Sequence, residues 1–232
     1  MKTTILHDVL NLFYPDRCIG CSKHLSYHQK LICVACAHDL PYSYYSKNNW
    51  SPIEELFYGK IPIKFATSLL IYESKSITQK LIHELKYHKN QKIGELFGEL
   101  IAIDLLNNKK VPKFDYIIPV PLHVNKLRKR GYNQLSKLGQ VLSKKLQIPY
   151  IENLLLKTSS TETQTKNDKV ARWKNAQHSF ELFNTSFLEN KHVLLLDDVI
   201  TTGATLESCS KELLKTKKVT LSICTIAHTI NF

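Results

Sequence analysis

The sequence predicts an α/β protein: a mostly parallel sheet flanked by helices, preceded by a small cysteine-bearing module. Three observations carry this. From Lys64 onward, apolar strand-like runs alternate with segments of helical period. One run, His192 to Asp197 (HVLLLD), is almost continuously apolar, as strands buried on both faces are. Four of the 6 cysteines fall in one window ahead of the first strand. The 232 residues, 43% hydrophobic and 22% charged, suffice for one medium domain with an appendage. That composition excludes disordered, collagen-like and coiled-coil classes. The expected division is 1–45 for an N-terminal helix and the cysteine module, and 60–232 for the α/β domain.

The elements follow in order. Ile5, Val9, Leu12 and Phe13 form one helical stripe, ended by Pro15. The cysteine module occupies about 15–42, and a Tyr-, Ser- and Asn-rich stretch at 42–52 reads as a linker. FATSLLIY, ending at Tyr72, is a strand. Helical patterns cover Ile77–Tyr87 and Ile93–Leu106. Phe114–Val120 is a strand running into Pro121. Leu135–Leu146 is a basic amphipathic helix, and Ile151–Leu156 a further strand. Residues 157–176 are polar and of mixed charge, so a long loop. The strand at His192 is followed by a helix, Ala204–Leu214, and a final strand, Val219–Ala227. The longest aliphatic run, Val193 to Leu196, is far shorter than the roughly 20 residues of a membrane span.

Cys18-x2-Cys21 and Cys33-x2-Cys36 stand 11 residues apart. Each pair is a tight turn that aims two sulfurs at one point, and two such turns complete a tetrahedron. This is the pattern of a structural zinc (Zn2+) site with no open coordination position. Two disulfides are the alternative. His7 and Asp8 break the apolar start at Ile5 and Leu6 before an export signal can form. A cytoplasmic, reducing location is therefore expected, which argues for metal. Cys209 and Cys224 sit in apolar surroundings and read as small core residues.

The formal charge of +12 is uneven: residues 116–176 hold 12 Lys/Arg against 3 Asp/Glu. Such a stretch suits a polyanion, whether phosphate, diphosphate or nucleic acid, or is simply a solvated basic surface.

The most specific segment is Leu194 to Leu206, LLLDDVITTGATL. A buried strand ends in two acids and turns through small hydroxylated residues into a helix. Ligands of open α/β sheets bind at such strand ends. Thr201, Thr202, Gly203, Ala204 and Thr205 can present backbone N–H groups to an anion at the helix start. Asp197 and Asp198 repel phosphate, and suit ribose hydroxyls or a divalent metal carried by the ligand. No GxxxxGK[ST] and no GxGxxG follows a strand, so ATP P-loop and dinucleotide folds lack support.

This segment resembles the phosphoribosyl-diphosphate (PRPP) motif of type I phosphoribosyltransferases. Over nearly the whole chain the sequence resembles the ComF family, known for its link to natural competence. The cysteine module is similar to that family's N-terminal zinc ribbon. PVPLH at 119–123 with RGYNQ at 130–134 resembles its PVPLH…RGxNQ signature. Thr161 with Gln164 and Arg172 with Asn175 resemble its TxxQ and RxxN pairs. The resemblance implies a type I phosphoribosyltransferase-like fold and several roles. Val120, Pro121, Leu122 and His123 would hold the diphosphate, on a peptide that is strained or cis. Arg130 would neutralise charge on the leaving group. Asp197 and Asp198 would hold the ribose hydroxyls with Mg2+ bridging ribose and diphosphate, and Thr201–Thr205 the 5′-phosphate. The loop 157–176 would act as a lid. Three functions stay open: a PRPP-dependent transferase, a module handling single-stranded DNA with a competence helicase as partner, and a nucleotide-salvage enzyme.

Overall fold

The computed structural model describes residues 15–26, 29–47, 51–88, 90–158, 180–183 and 185–230. The expected N-terminal helix lies outside them, as do Thr161, Gln164, Arg172, Trp173 and Asn175 of the expected lid. Seven helices are described: α1 (Val34–His38), α2 (Pro52–Phe57), α3 (Ile77–Tyr87), α4 (Gln91–Leu106), α5 (Val124–Arg130), α6 (Ser136–Leu146) and α7 (Ala204–Leu213). The strands are β1 (Phe65–Tyr72), β2 (Tyr116–Pro119), β3 (Leu155–Lys157), β4 (Phe180–Leu182), β5 (His192–Ile200) and β6 (Thr220–Thr229).

Four strands form a fully parallel sheet in the order β1-β6-β5-β2. Its central strands, β5 and β6, are buried along most of their length, because helices cover both faces. Successive residues of a strand point to opposite faces, so β5 feeds two cores. Leu194 and Leu196 join Leu81 and Leu85 of α3, Phe97 and Ile101 of α4, and Leu138 and Leu142 of α6. Val193 and Leu195 join Ile53 and Phe57 of α2 and Leu206, Cys209 and Leu213 of α7.

Helices α4 and α6 close to backbone contact. A Cβ on Gly98 would stand 2.8 Å from Val141 Cβ and 3.0 Å from the Leu138 carbonyl, so only glycine permits this approach. The cysteine module docks on the same face. Ile19, Leu31 and Ile32 pack on the first core, and the Lys80 ammonium donates to the Gly20 carbonyl.

The structure departs from the sequence expectation at three elements. The segment 151–156 does not join the main sheet. Ile151 N–H donates to the Ile117 carbonyl at 2.9 Å, and only Leu155–Lys157 is strand, paired antiparallel with β4. Helix α2 follows the stretch read as linker, with Ser51 Oγ accepting from Ile53 N–H and Pro52 opening the first turn. Helix α5 holds the basic run Arg128–Arg130, which carried no helical expectation.

Candidate functional site

The two acids sit where β5 leaves the sheet, and strand alternation sends them to opposite faces. Asp198 turns toward α3 and is buried. It accepts from Lys86 Nζ at 2.7 Å and from the Gln134 side-chain amide. Gln134 in turn accepts from the Arg130 guanidinium, which lies over the Tyr87 ring, 5.7 Å from its centroid. Arg130 is thus joined to Asp198 through one glutamine.

Asp197 faces the other way. Its carboxylate accepts from Asp198 N–H at 2.8 Å. Burial, then the charge of Asp198, pushes its pKa up to about 8. Lys157 is close enough to offset part of this, and burial, then Lys126, lowers its own pKa.

The segment 130–134 is built to hold this arrangement. Gly131 ends α5 in the left-handed region, with φ 84°. Tyr132 hydroxyl donates to the Leu85 carbonyl. Asn133 donates to the Val120 carbonyl at 3.3 Å and accepts from Leu135 N–H at 3.0 Å. The motif therefore ties the strand end of β2 to α3 and to β5.

Pro119 pairs with Leu196, so Val120 to His123 leave the sheet beside the two acids. Val120 N–H donates to the Leu196 carbonyl at 2.8 Å, and Pro121 has no N–H. At most two of these four amides can therefore face an anion. His123 caps α5, its Nδ1 accepting from Asn125 N–H at 3.2 Å. Among the described residues no peptide is cis, and none of these four has a positive φ.

Thr201, Thr202, Ala204 and Thr205 are exposed around buried Gly203. Gly203 precedes α7 with φ 76°, and a Cβ there would meet the Phe57 ring at 3.1 Å. Helix α2 thus braces the loop from below, and no side chain caps the α7 N-terminus. Its exposed amides and dipole can receive an anion. A cleft of about 430 Å³ opens between this loop and α3, lined by Tyr72, Ile82, His83, Lys86, Asp198 and Thr201 among others. Sequence reasoning missed Lys86, Tyr87 and Lys157. Nothing local marks them among other helix and strand-end residues, and the fold alone brings them to the acids.

The Sγ atoms of Cys18, Cys21, Cys33 and Cys36 lie within 4.8 Å of one another, and Cys21 and Cys33 are 3.7 Å apart. Metal–sulfur bonds of about 2.3 Å space tetrahedral sulfurs about 3.8 Å apart, so the four can hold a metal. Burial raises the Cys18 thiol, but amides of Cys21, Cys33 and Gly20 with the Cys36 thiol outweigh it and bring the pKa down to about 6. That favours the thiolate a metal needs at Cys18, whereas burial, then the neighbouring thiols, pushes the Cys36 thiol up.

Among the described residues no helix is long and apolar enough to cross a membrane. No protein-family model matches the chain. Competence protein F of Haemophilus influenzae is 28% identical over 214 residues, covering 88% of this chain and 93% of that protein. DNA utilization protein YhgH of Escherichia coli O157:H7 is 28% identical over 153 residues, 65% of this chain and 66% of its own length. The chain thus spans about two thirds of the YhgH relatives. Competence protein ComFC of Bacillus subtilis is 32% identical over 102 residues, 44% of this chain and 39% of that protein. Among solved structures, a B. subtilis glutamine PRPP amidotransferase aligns with TM-score 0.40 and 16% identity over 61% of this chain and 30% of its own. An adenine phosphoribosyltransferase from Leishmania tarentolae aligns with TM-score 0.38 and 13% identity over 61% and 73%. The chain, a four-cysteine cluster set before a parallel, helix-flanked sheet, is a homologue of the ComF competence proteins.

Proposed function

We propose that the chain binds PRPP with Mg2+ at the end of β5, serves DNA uptake, and transfers phosphoribosyl to a nitrogen base. One observation carries the reading: two acids and a helix N-terminus of free-standing, hydroxylated residues meet at the carboxyl edge of a parallel sheet, beside the β2 loop. Thr201–Thr205 would take the 5′-phosphate through amides and hydroxyls. Asp197 and Asp198 would take the ribose diol, one from each side of the strand. Leu122 and His123 amides would face the diphosphate, with Val120 and Pro121 shaping the turn. Mg2+, when bound, screens the diphosphate charge and strengthens it as a leaving group. In the transfer, the bond from ribose C1 to the diphosphate oxygen breaks as the base nitrogen bonds C1. Diphosphate leaves with the electron pair, and the nitrogen's proton passes to solvent. Arg130, held by Gln134 and Tyr87, would stabilise the departing charge by reorienting from that rest position. The four thiolates would hold a structural zinc.

Calorimetric titration with PRPP and Mg2+ tests this. Wild type is expected to bind saturably, and Asp197→Asn with Asp198→Asn to lose binding while keeping its circular dichroism. Binding retained in the folded variant would remove the acids from the site. No binding to wild type would overturn the reading.

A specific observation also favours a role in handling single-stranded DNA. Helix α5 has no buried residue and turns Lys126, Arg128 and Lys129 outward. If it tracks three or four phosphates of single-stranded DNA, affinity should fall roughly 20- to 50-fold when salt is raised fourfold. A salt-independent affinity would exclude this role.

A further inference from the structure

The last turns of α3 carry three metal-binding side chains outside everything assigned so far. His83, Glu84 and His88 each offer a ligand atom, and these atoms lie within 4.8 Å of one another. His88 Nε2 is 4.0 Å from Glu84 Oε1, and the two imidazole rings are 5.3 Å apart. His83 also packs on the Tyr87 ring, 4.8 Å between centroids, which limits its swing. His88 is the C-cap of α3, so its side chain folds back over the last turn instead of following the helical spacing. Ligand bonds of about 2.0–2.1 Å require these atoms to draw in by less than about 1 Å. Exposed side chains can do that by small rotations, with no movement of the helix.

The donor set selects the ion. Two imidazoles and a carboxylate suit zinc, cobalt or nickel, whereas Mg2+ prefers oxygen ligands alone. Three protein ligands also leave at least one coordination position open, unlike the closed four-thiolate cluster. His83 lines the cleft that holds Asp198 and Thr201, so the three side chains border that cleft. Lys86, which lines the same cleft, is paired with Asp198 at 2.7 Å.

We propose that His83, Glu84 and His88 bind one divalent transition-metal ion of the zinc, cobalt and nickel class, in an open site at the cleft rim. The site is separate from the cysteine cluster. It leaves a coordination position for an oxygen or nitrogen donor of whatever occupies the cleft. Binding of the ion itself needs no PRPP, so the site stands or falls apart from the transferase reading.

The untagged full chain, purified with the metal it holds tightly, is dialysed against micromolar Co2+, and bound metal is counted by mass spectrometry. Wild type is expected to take up one further equivalent. Its absorption should show weak d–d bands without the intense near-ultraviolet thiolate charge transfer that cysteine ligation gives. Affinity for this equivalent should fall at least tenfold in His83→Ala and in His88→Ala, and the equivalent should be absent from the double variant. Both positions are exposed, and unchanged circular dichroism confirms that the variants fold. Three results would each overturn the site: no further equivalent in wild type, undiminished uptake by the double variant, or thiolate charge transfer accompanying the added ion.

Discussion

Asp198 is a buried acid whose two partners arrive from elements far apart in the chain, Lys86 on α3 and Gln134 before α6. Replacing Lys86 by methionine leaves that carboxylate without its cation. Because Lys86 is itself partly exposed, solvent softens the penalty, and a loss of about 1–3 kcal/mol is expected. A urea unfolding curve measures it; an unchanged midpoint would show that the pair contributes nothing. Asp197 gives the opposite signature. Its folded pKa is raised by burial, then by Asp198, to about 8. Between the ordinary aspartate value of about 3.9 and that value, the folded state binds the extra proton. Stability should therefore fall as pH rises through this window, and Asp197→Asn should flatten the fall. Urea midpoints at several pH values compare the slopes, and parallel slopes would refute the assignment. The acids themselves were legible as a pair from sequence. Their divergence to opposite faces follows from strand alternation, and becomes visible only once β5 is seen to continue to Ile200.

At the scale of elements, the contact between α4 and α6 depends on absent side chains. Gly98→Ala would drive a methyl group into Val141 and the Leu138 carbonyl, so the helices must part. Overpacking of this kind costs about 1–3 kcal/mol, larger than the helix propensity alanine gains. A thermal melt is expected to show the loss, and a variant as stable as wild type would mean the helices yield freely. The same reasoning explains which elements sequence exposed. β1, β5 and β6 were legible because burial on both faces demands apolar runs. α3, α4 and α6 were legible because one buried face imposes the helical period. α5 was not: Val124 and Leu127 are exposed, so no apolar stripe marks it. α2 was missed although Ser51, Pro52, Glu54 and Glu55 spell a helix start, because a polar neighbourhood masked so short a signal. The strand expected at 151–156 has the right composition, but Ile151 is engaged with Ile117 and only its end pairs with β4.

At the scale of the whole molecule, the cysteine cluster and the sheet are coupled. Cys18, in a turn, and Cys36, in α1, are buried beside Ile19, Leu31 and Ile32, which pack against the first core. Removing metal with a strong chelator should therefore lower the melting temperature of the entire chain, not only unfold the module. One tightly held zinc equivalent per chain is expected, and an unchanged melt after its removal would show that the module rides passively. Sequence spacing was enough to place the four thiolates together. It could not show that they dock on α3, since that depends on Lys80 reaching the Gly20 carbonyl. The sheet order has a consequence in time. Among the described strands of the sheet β1 pairs with β6, Phe65 opposite Ser222, so a strand made early waits for one made late. During synthesis its apolar residues stay without their neighbour until β6 has left the ribosome. Closure of so long a loop slows folding and keeps apolar surface exposed in that interval.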